Sequence, residues 1–272
     1  MGRDCQLADE LYETYTALLS KPQPEIQDDC YRTYTLPGQR CTVTLRESVS
    51  MISQGTTGLN TWPAASFLTE WAVENKDVFQ GRMVLELGSG MGLTGLAVCK
   101  VCRPAGYVFS DCHASVLRAL RENVGINVAD FDSEEGSKNT SRGASGATAQ
   151  EGAKKQPVVA VECIDWEAVD ERDVKRWNAG VILAADVVYD TRIIEPLVRL
   201  LYLLLQCQGD GRETPVAFVA STVRNEATYD AFLETLEKLQ IVVEKVLGPT
   251  SQMLYYDRSC CIQLLQLRAE MT

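Results

Sequence analysis

Apolar positions along the chain alternate between the spacing of buried strands and that of amphipathic helices. Short apolar runs predict five strands, at residues 83–87, 107–110, 158–163, 181–185 and 216–221. Apolar residues three or four positions apart predict five helices, over residues 62–74, 93–101, 116–124, 193–205 and 226–239. Strands that alternate with helices in this way indicate a parallel sheet joined by right-handed crossovers.

The last part of the chain breaks this alternation. Two further strands, predicted at residues 241–247 and 261–267, follow each other with no strong helix between them. Such a pair indicates an antiparallel addition at one edge of the sheet. The predicted fold class is therefore α/β, a Rossmann-like class I methyltransferase fold with a seven-stranded, mostly parallel sheet and an antiparallel edge strand. A plain dinucleotide-binding fold usually lacks this ending.

The first 50 residues precede the alternating pattern. They contain a predicted helix around residues 7–19, a break at Pro22 and Pro24, and extended stretches near 31–36 and 41–45. We interpret residues 1–50 as an amino-terminal extension of one catalytic domain that spans residues 51–272. Within that domain, residues 132–156 are rich in Gly, Ser, Ala and charge and lack apolar periodicity, which predicts a disordered surface insertion.

The charge balance bears on possible partners. The chain has 26 Lys and Arg against 37 Asp and Glu, a net charge of −11, which repels a phosphate backbone and favours a basic protein partner over nucleic acid. The first five residues carry charges where a signal peptide needs an apolar core, and no apolar run approaches the roughly 18 residues of a membrane span. We expect a cytoplasmic monomer with no membrane partner.

The cysteines are interpreted as reduced thiols. Ten cysteines without a secretory signal do not indicate a disulfide framework. Cys99 and Cys102 form a lone C-x-x-C, and His113 is the only histidine, so no metal site is predicted. The two thiols are expected to pack on one helical face against the sheet.

A glycine-rich turn between the strand at 83–87 and the next helix is the first candidate site. The spacing G-x-G-x-x-G is formally satisfied by Gly90, Gly92 and Gly95, so a nicotinamide or flavin cofactor is an alternative. The phase argues against it, because the tight-turn glycine should follow the strand directly. That glycine is Gly88, and the third glycine of the motif would then fall at Leu93.

Glu86 distinguishes between the two cofactor classes. A carboxylate inside an apolar strand is costly to bury without a partner. It would repel a pyrophosphate, whereas a cationic, sulfonium-bearing ligand gives it a role. Together with the turn Gly88-Ser89-Gly90, Glu86 therefore predicts S-adenosylmethionine as the cofactor.

Other polar and aromatic residues follow the strands at the same sheet edge. Asp111, about 20 residues after the turn, can accept hydrogen bonds from both ribose hydroxyls or can cap the following helix. Trp166 can pack on an adenine face or in the core. The fourth strand ends with Ala184 and Ala185 and leads into Asp186-Val187-Val188-Tyr189, where Asp186 could meet the substrate or cap a helix. His113 is expected in a loop or at a helix start, and no Ser/His/Asp set supports a hydrolase.

Several strings make the chain similar to a known family. They are Thr56 to Trp62, Val84 to Gly90, Cys102-Arg103-Pro104, Phe109 to His113, Ala184-Ala185-Asp186 and Thr222 to Asn225, within roughly residues 50–230. Through them the chain resembles the seven-strand protein-lysine methyltransferases, in particular those that act on eukaryotic elongation factor 2. The resemblance implies one lysine of that factor as the substrate. It also implies a set of S-adenosylmethionine contacts, namely Trp62, Gly88, Ser89, Gly90, Asp111, Trp166 and Ala185.

The resemblance further implies that Asp186 and Tyr189 form a substrate-side Asp-x-x-Tyr motif. Catalysis would be direct displacement, with Asp186 holding the incoming amine, Tyr189 lining the lysine channel and Arg224 either positioning substrate or stabilising its loop. A methyltransferase for another protein or a small molecule shares every cofactor feature. A non-catalytic copy of the family is the other alternative. The absence of an Asn-Pro-Pro-Tyr-like string after the fourth strand argues against adenine methylation.

Overall fold

The computed structural model describes residues 29–37, 41–128, 157–207 and 214–270. The predicted helix around residues 7–19, the break at Pro22 and Pro24, and the predicted insertion at 132–156 lie outside these ranges. Among the described residues, no helix is long and apolar enough to cross a bilayer.

Seven strands form the central sheet. In chain order they are β3 (Met83–Leu87), β4 (Gly106–Asp111), β5 (Val158–Cys163), β6 (Val181–Ala185), β7 (Val216–Thr222), β8 (Ile241–Val246) and β9 (Ile262–Ala269). Their order across the sheet is β5-β4-β3-β6-β7-β9-β8. All neighbours are parallel except β9, which runs antiparallel to both β7 and β8.

The predicted fold class is thereby confirmed. In detail, the antiparallel strand β9 is inserted between β7 and β8, so the outermost strand β8 runs parallel to the rest of the sheet. The sequence shows two consecutive strands without a helix between them, but not which one takes the edge.

Helices cover both faces of the sheet. They are α1 (Pro63–Glu74), α2 (Leu93–Val101), α3 (Ala114–Val128), α4 (Glu171–Trp177), α5 (Thr191–Gln206) and α6 (Glu226–Lys238). Buried side chains of α1, α2 and α3 pack with Val84 of β3 in one core cluster, and those of α4, α5 and α6 pack with Leu85 and Leu87 in a second. Because β3 is buried on both faces, its sequence is apolar at almost every position.

A two-stranded hairpin, β1 (Asp29–Thr35) and β2 (Thr42–Ser48), accounts for the predicted extended stretches near 31–36 and 41–45. Two asparagines of α3 hold its backbone. Asn123 accepts from the Arg46 amide at 2.8 Å, and Asn127 bonds both the amide and the carbonyl of Thr44, at 3.0 and 2.7 Å. Leu45 is fully buried in the first core cluster. The division of the chain at residue 50 stays a prediction.

The connection between β8 and β9 is fastened to α1 by a buried carboxylate. Glu70 accepts hydrogen bonds from the amides of Met253 and Leu254 at 2.6 and 2.7 Å, and from the guanidinium of Arg258 at 2.6 Å. This network fixes α1, whose first turn lies at the carboxyl edge of the parallel strands.

Candidate functional site

A cavity of about 570 Å³ opens at the carboxyl edge of β3, β4, β5 and β6. This is the edge where open α/β sheets bind their ligands. The structure brings all ten sequence-predicted site residues to its wall, namely Trp62, Glu86, Gly88, Ser89, Gly90, Asp111, Trp166, Ala185, Asp186 and Tyr189.

The glycine-rich turn lines the cavity with backbone. Gly88 has φ +66°, and a Cβ placed there would lie 2.9 Å from a methyl carbon of Val187. Gly90 has φ +51°, and its Cβ would lie 3.3 Å from the carbonyl oxygen of Gly58. Both positions therefore favour glycine, and Gly88 does so on two counts, its positive φ and the close Val187 contact. The Ser89 amide donates to the Ser110 carbonyl at 2.7 Å, and the Ser110 amide donates to Ser89 Oγ at 3.0 Å, so β4 holds the turn in place.

Glu86 presents an unpaired buried acceptor at the cavity wall. Glu86 is only 3 % exposed, and its Oε2 has no hydrogen-bond partner among the described residues. Burial raises the pKa of this carboxyl to about 7, although the nearby hydroxyls of Ser89, Tyr107 and Thr94 oppose the shift. An orphaned acceptor of this kind matches a ligand that brings a positive charge or a hydrogen-bond donor.

Asp111 lies at the end of β4, on the opposite side of the turn from β6. Its Oδ1 accepts from the His113 amide at 3.0 Å, just before α3 begins. Burial raises the pKa of Asp111, and the amides of His113, Gly90 and Cys112 oppose that shift. His113 sits before the helix, as expected, with Nδ1 2.7 Å from Ser115 Oγ. Asp111 thus stabilises the turn before α3 and also lines the cavity.

Two tryptophans border the cavity at separate places. Trp166 follows β5, is half-buried, and packs against the second core cluster. Trp62 directly precedes α1, and its indole N–H donates to the Thr57 carbonyl at 3.0 Å. The guanidinium carbon of Arg224 lies 5.0 Å from the centre of the Trp62 ring, in a cation–π arrangement.

Asp186 ties three elements together at the end of β6. Its backbone adopts φ +54°, unusual for a residue other than glycine. The carboxylate accepts from the amide and hydroxyl of Thr222 at 2.9 and 3.1 Å, and from the Ala64 amide at 3.4 Å. Both terminal nitrogens of Arg224 also reach it, at 3.3 Å each. The side chain is 5 % exposed, so these donors enclose it almost completely.

Tyr189 lies at the mouth of the cavity, 63 % exposed. Next to it, Asp190 caps α5 by accepting from the Arg192 amide at 3.0 Å. Ile193 and Pro196 of the first turns of α5 line the cavity and are half-buried. These α5 residues were not predicted as site residues, and neither was Ile52 in the loop opposite. Only the Asp190 capping position could have indicated where α5 begins.

The lining of the cavity is acidic. The carboxylates that reach it are Glu86, Asp111, Asp165, Glu167, Asp186 and Asp190. Among the described lining residues, Arg192 supplies the one Lys or Arg charge, and it is paired with Asp190 at 2.6 Å. This balance favours a cationic ligand or acceptor over a phosphate-bearing one.

Cys99 and Cys102 lie in the first core cluster, away from the cavity. Burial raises the pKa of both thiols, that of Cys102 to about 12, and Cys102 Sγ lies 3.4 Å from the Ala72 carbonyl. Their role in this part of the chain is packing. Within the described ranges, no cluster of three or more His, Cys, Asp or Glu side chains could hold a metal ion.

Comparison with known proteins identifies the family. A profile of the lysine methyltransferase family matches residues 43–138 and 146–240. The protein-lysine N-methyltransferases EEF2KMT of Mus musculus and Bos taurus are 39% and 42% identical over 95% of this chain, which spans 71% and 73% of their lengths. A SAM-dependent methyltransferase structure from Agrobacterium tumefaciens superimposes with a TM-score of 0.53 at 11% identity, covering 92% of this chain and 72% of that one, and shows the shared fold alone. The chain belongs to the lysine methyltransferase family.

Proposed function

We propose that the cavity binds S-adenosylmethionine and that the chain transfers its methyl group to a lysine of elongation factor 2. The observation that carries the cofactor assignment is the orphaned Oε2 of Glu86 beside a turn whose positive φ angles at Gly88 and Gly90 favour glycine. A pyrophosphate cofactor would place negative charge against this carboxyl, whereas S-adenosylmethionine is cationic at its sulfonium and ammonium groups.

The cofactor-binding residues can be assigned roles by their positions. Gly88, Ser89 and Gly90 would supply the backbone of the cradle, and Glu86 would accept from the cationic part of the ligand. Asp111 would accept from the ribose hydroxyls, and Trp166 would face the adenine. Trp62 and Ala185, which lie towards Asp186 in the same cavity, would border the end where the methyl group is transferred.

The acceptor is proposed from the family and from the site together. Both relatives named above are protein-lysine N-methyltransferases whose names, like the resemblance in the sequence, point to elongation factor 2. The acidic cavity suits a basic residue that arrives from Tyr189 at the mouth. An elongation factor substrate would place the reaction in the cytoplasm.

S-adenosylmethionine, when bound, supplies an electrophilic methyl group on a sulfonium. The protein then has to align a neutral lysine amine with that group and keep water away from it. Tyr189 would contact the aliphatic part of the lysine, and the end of β6 at Ala185 and Asp186 would fix the approach of the amine. Asp186 holds β6, β7 and α1 in register around this point.

The test is methylation of purified elongation factor 2 by the purified chain with methyl-labelled S-adenosylmethionine, with the labelled lysine mapped by mass spectrometry. We expect label on one lysine, and much less with an Asp186→Ala variant that still binds the cofactor by calorimetry. Label on another protein in a cytosolic extract, with elongation factor 2 unmodified, would identify that protein as the substrate instead. Full activity of Asp186→Ala would remove Asp186 from the acceptor site.

A further inference from the structure

We propose that Arg224 keeps the substrate lysine in its reactive, neutral form by neutralising the carboxylate of Asp186. This inference rests on the proposed function and concerns how the same site selects the protonation state of its acceptor. It makes Arg224 a positioning residue that acts through Asp186, and it decides between the two roles that the sequence left open for this arginine.

A guanidinium lies just outside the cavity wall, paired with Asp186 at the proposed acceptor end. The Arg224 guanidinium pairs with both oxygens of Asp186 at 3.3 Å and lies 5.0 Å from the centre of the Trp62 ring. Asp186 and Trp62 both line the cavity, and Arg224, which follows β7 and does not line it, contacts both. A planar guanidinium can satisfy a carboxylate and an aromatic face together.

The chemistry of methyl transfer requires the negative charge of Asp186 to be compensated. Lysine is protonated at neutral pH, and only its neutral amine has the lone pair that forms the new N–C bond. Before transfer, the ammonium has to lose one proton to solvent. In the transfer, the S–C bond breaks with its electron pair going to sulfur, and the methylated ammonium then loses a proton to water. A bare carboxylate beside the amine would hold the ammonium and slow the first step.

The paired carboxylate behaves differently. Its oxygens already accept from Thr222, Ala64 and Arg224, and the positive charge of Arg224 makes the ion pair neutral overall. Enclosed by these donors, the carboxylate offers little to an incoming ammonium. The nearby guanidinium also disfavours a second positive charge.

In the part of the chain that the structure describes, few other titratable groups face the Asp186–Arg224 pair. The elements packed on Asp186 contribute the backbone of Ala64 and the hydroxyl of Thr222, neither of which titrates. The thiol of Cys260, ahead of β9, lies near both Asp186 and Arg224, and burial raises its pKa, which keeps it neutral. Glu86 lies on β3 in the same cavity and titrates in every variant alike, so a comparison between variants isolates the pair.

The experiment is the pH dependence of kcat with saturating S-adenosylmethionine and elongation factor 2. For Arg224→Gln, the rising limb of the profile should move up by about one pH unit, because one nearby positive charge is lost. Arg224→Lys keeps the charge and should keep the limb of the parent enzyme. Arg176→Gln is the matched control, since Arg176 pairs with both oxygens of Glu162 and lies 5.5 Å from the Trp177 ring, away from the cavity.

The double variant Arg224→Gln with Asp186→Asn makes the test decisive. Removing both charges should return the limb to its original position, whereas a purely structural role predicts a double variant worse than either single one with no return. Asp186→Asn alone should move the rising limb of the pH profile to lower pH. This variant provides the test if Arg224→Gln fails to fold. An unshifted limb in Arg224→Gln overturns the inference, while absence of transfer by the parent enzyme overturns the proposed function instead.

Discussion

At the scale of single residues, Glu86 shows how a binding site works against the stability of its own fold. A carboxyl buried in β3 with an unpaired oxygen loses its hydration, which is why its pKa rises from 4.5 to about 7. An apolar or amide side chain would be more stable there. The presence of Glu86 is explained by the ligand that would pair with it. Its cost to the stability of the fold and its contribution to cofactor binding can be measured separately.

The first prediction concerns Glu86→Gln. Because the folded pKa lies above 4.5, the folded protein binds the extra proton between pH 4.5 and about 7, and the free energy of unfolding falls as the pH rises through this window. The loss amounts to about 3 kcal/mol above pH 7. Glu86→Gln without cofactor should therefore be more stable than the parent at pH 8 and nearly equal near pH 5, measured by urea denaturation.

The same substitution should weaken binding of S-adenosylmethionine, by about tenfold or more at pH 8, because a charge-assisted hydrogen bond is lost. For the parent chain, the dissociation constant measured by calorimetry should rise as the pH falls below 7. A variant that is more stable at pH 8 yet binds as tightly as the parent would show that Glu86 has no part in holding the cofactor.

A second prediction at this scale compares two glycines. Gly88 and Gly81 have similar φ values, +66° and +71°, but a Cβ meets a Val187 methyl carbon at Gly88 and open space at Gly81. Both Gly→Ala variants should lose about 1 kcal/mol of stability from backbone strain. Gly88→Ala alone should also lose cofactor binding. Equal binding by the two variants would contradict the assignment of the turn as the cradle.

At the scale of elements, the sequence predicts the strands of the sheet and the long helices from their apolar patterns and misses the short helix α4. The strands β3, β5 and β6 are matched residue for residue, since each is an apolar run bounded by turn residues. The helix α4 is missed because only Val174 and Trp177 of its seven residues are buried. Its start depends on a capping box between Asp170 and Asp173, which replaces the usual Glu or Gln with Asp.

The acceptor side of the site was harder to predict for a physical reason. Nothing in the string around Asp186 indicates a left-handed backbone, which glycine normally adopts. That conformation directs the carboxylate towards Thr222 and Arg224, 36 and 38 residues further along the chain. The glycine turn could be located because its strand, turn and helix are consecutive, whereas the Asp186–Arg224 pair depends on which strands become neighbours.

The prediction at this scale concerns the fastening of α1. Glu70→Gln removes the buried negative charge that pairs with the Arg258 guanidinium. This should cost about 3 kcal/mol or more of stability. Glu74, one turn later, bonds the amides of Thr250 and Ser251 at the surface, and Glu74→Gln should cost under about 1 kcal/mol. Chemical denaturation of both variants checks this, and equal losses would show that the buried network is not what fixes α1.

At the scale of the whole molecule, the cavity lies where the order of strands reverses. The chain runs from β3 outward to β4 and β5, then returns to β6 on the other side of β3 and continues to β7. The helices that follow β3 and β6 lie on opposite faces of the sheet, so their connections diverge and leave a crevice. The turn at Gly88 and the anchor at Asp186 are therefore on facing walls of one cavity, although nearly 100 residues separate them.

The last prediction follows from this arrangement, because a ligand in the crevice contacts elements from both halves of the sheet and binds only the folded chain. S-adenosylmethionine at 100 times its dissociation constant should stabilise the fold by about 2.7 kcal/mol, which raises Tm by about 5 °C or more for a domain of this size. NADH should give no shift, because a pyrophosphate meets the carboxyl of Glu86, and Gly88→Ala should abolish the shift with S-adenosylmethionine. A Tm raised by NADH but not by S-adenosylmethionine would return the glycine turn to the dinucleotide class that its spacing also allows.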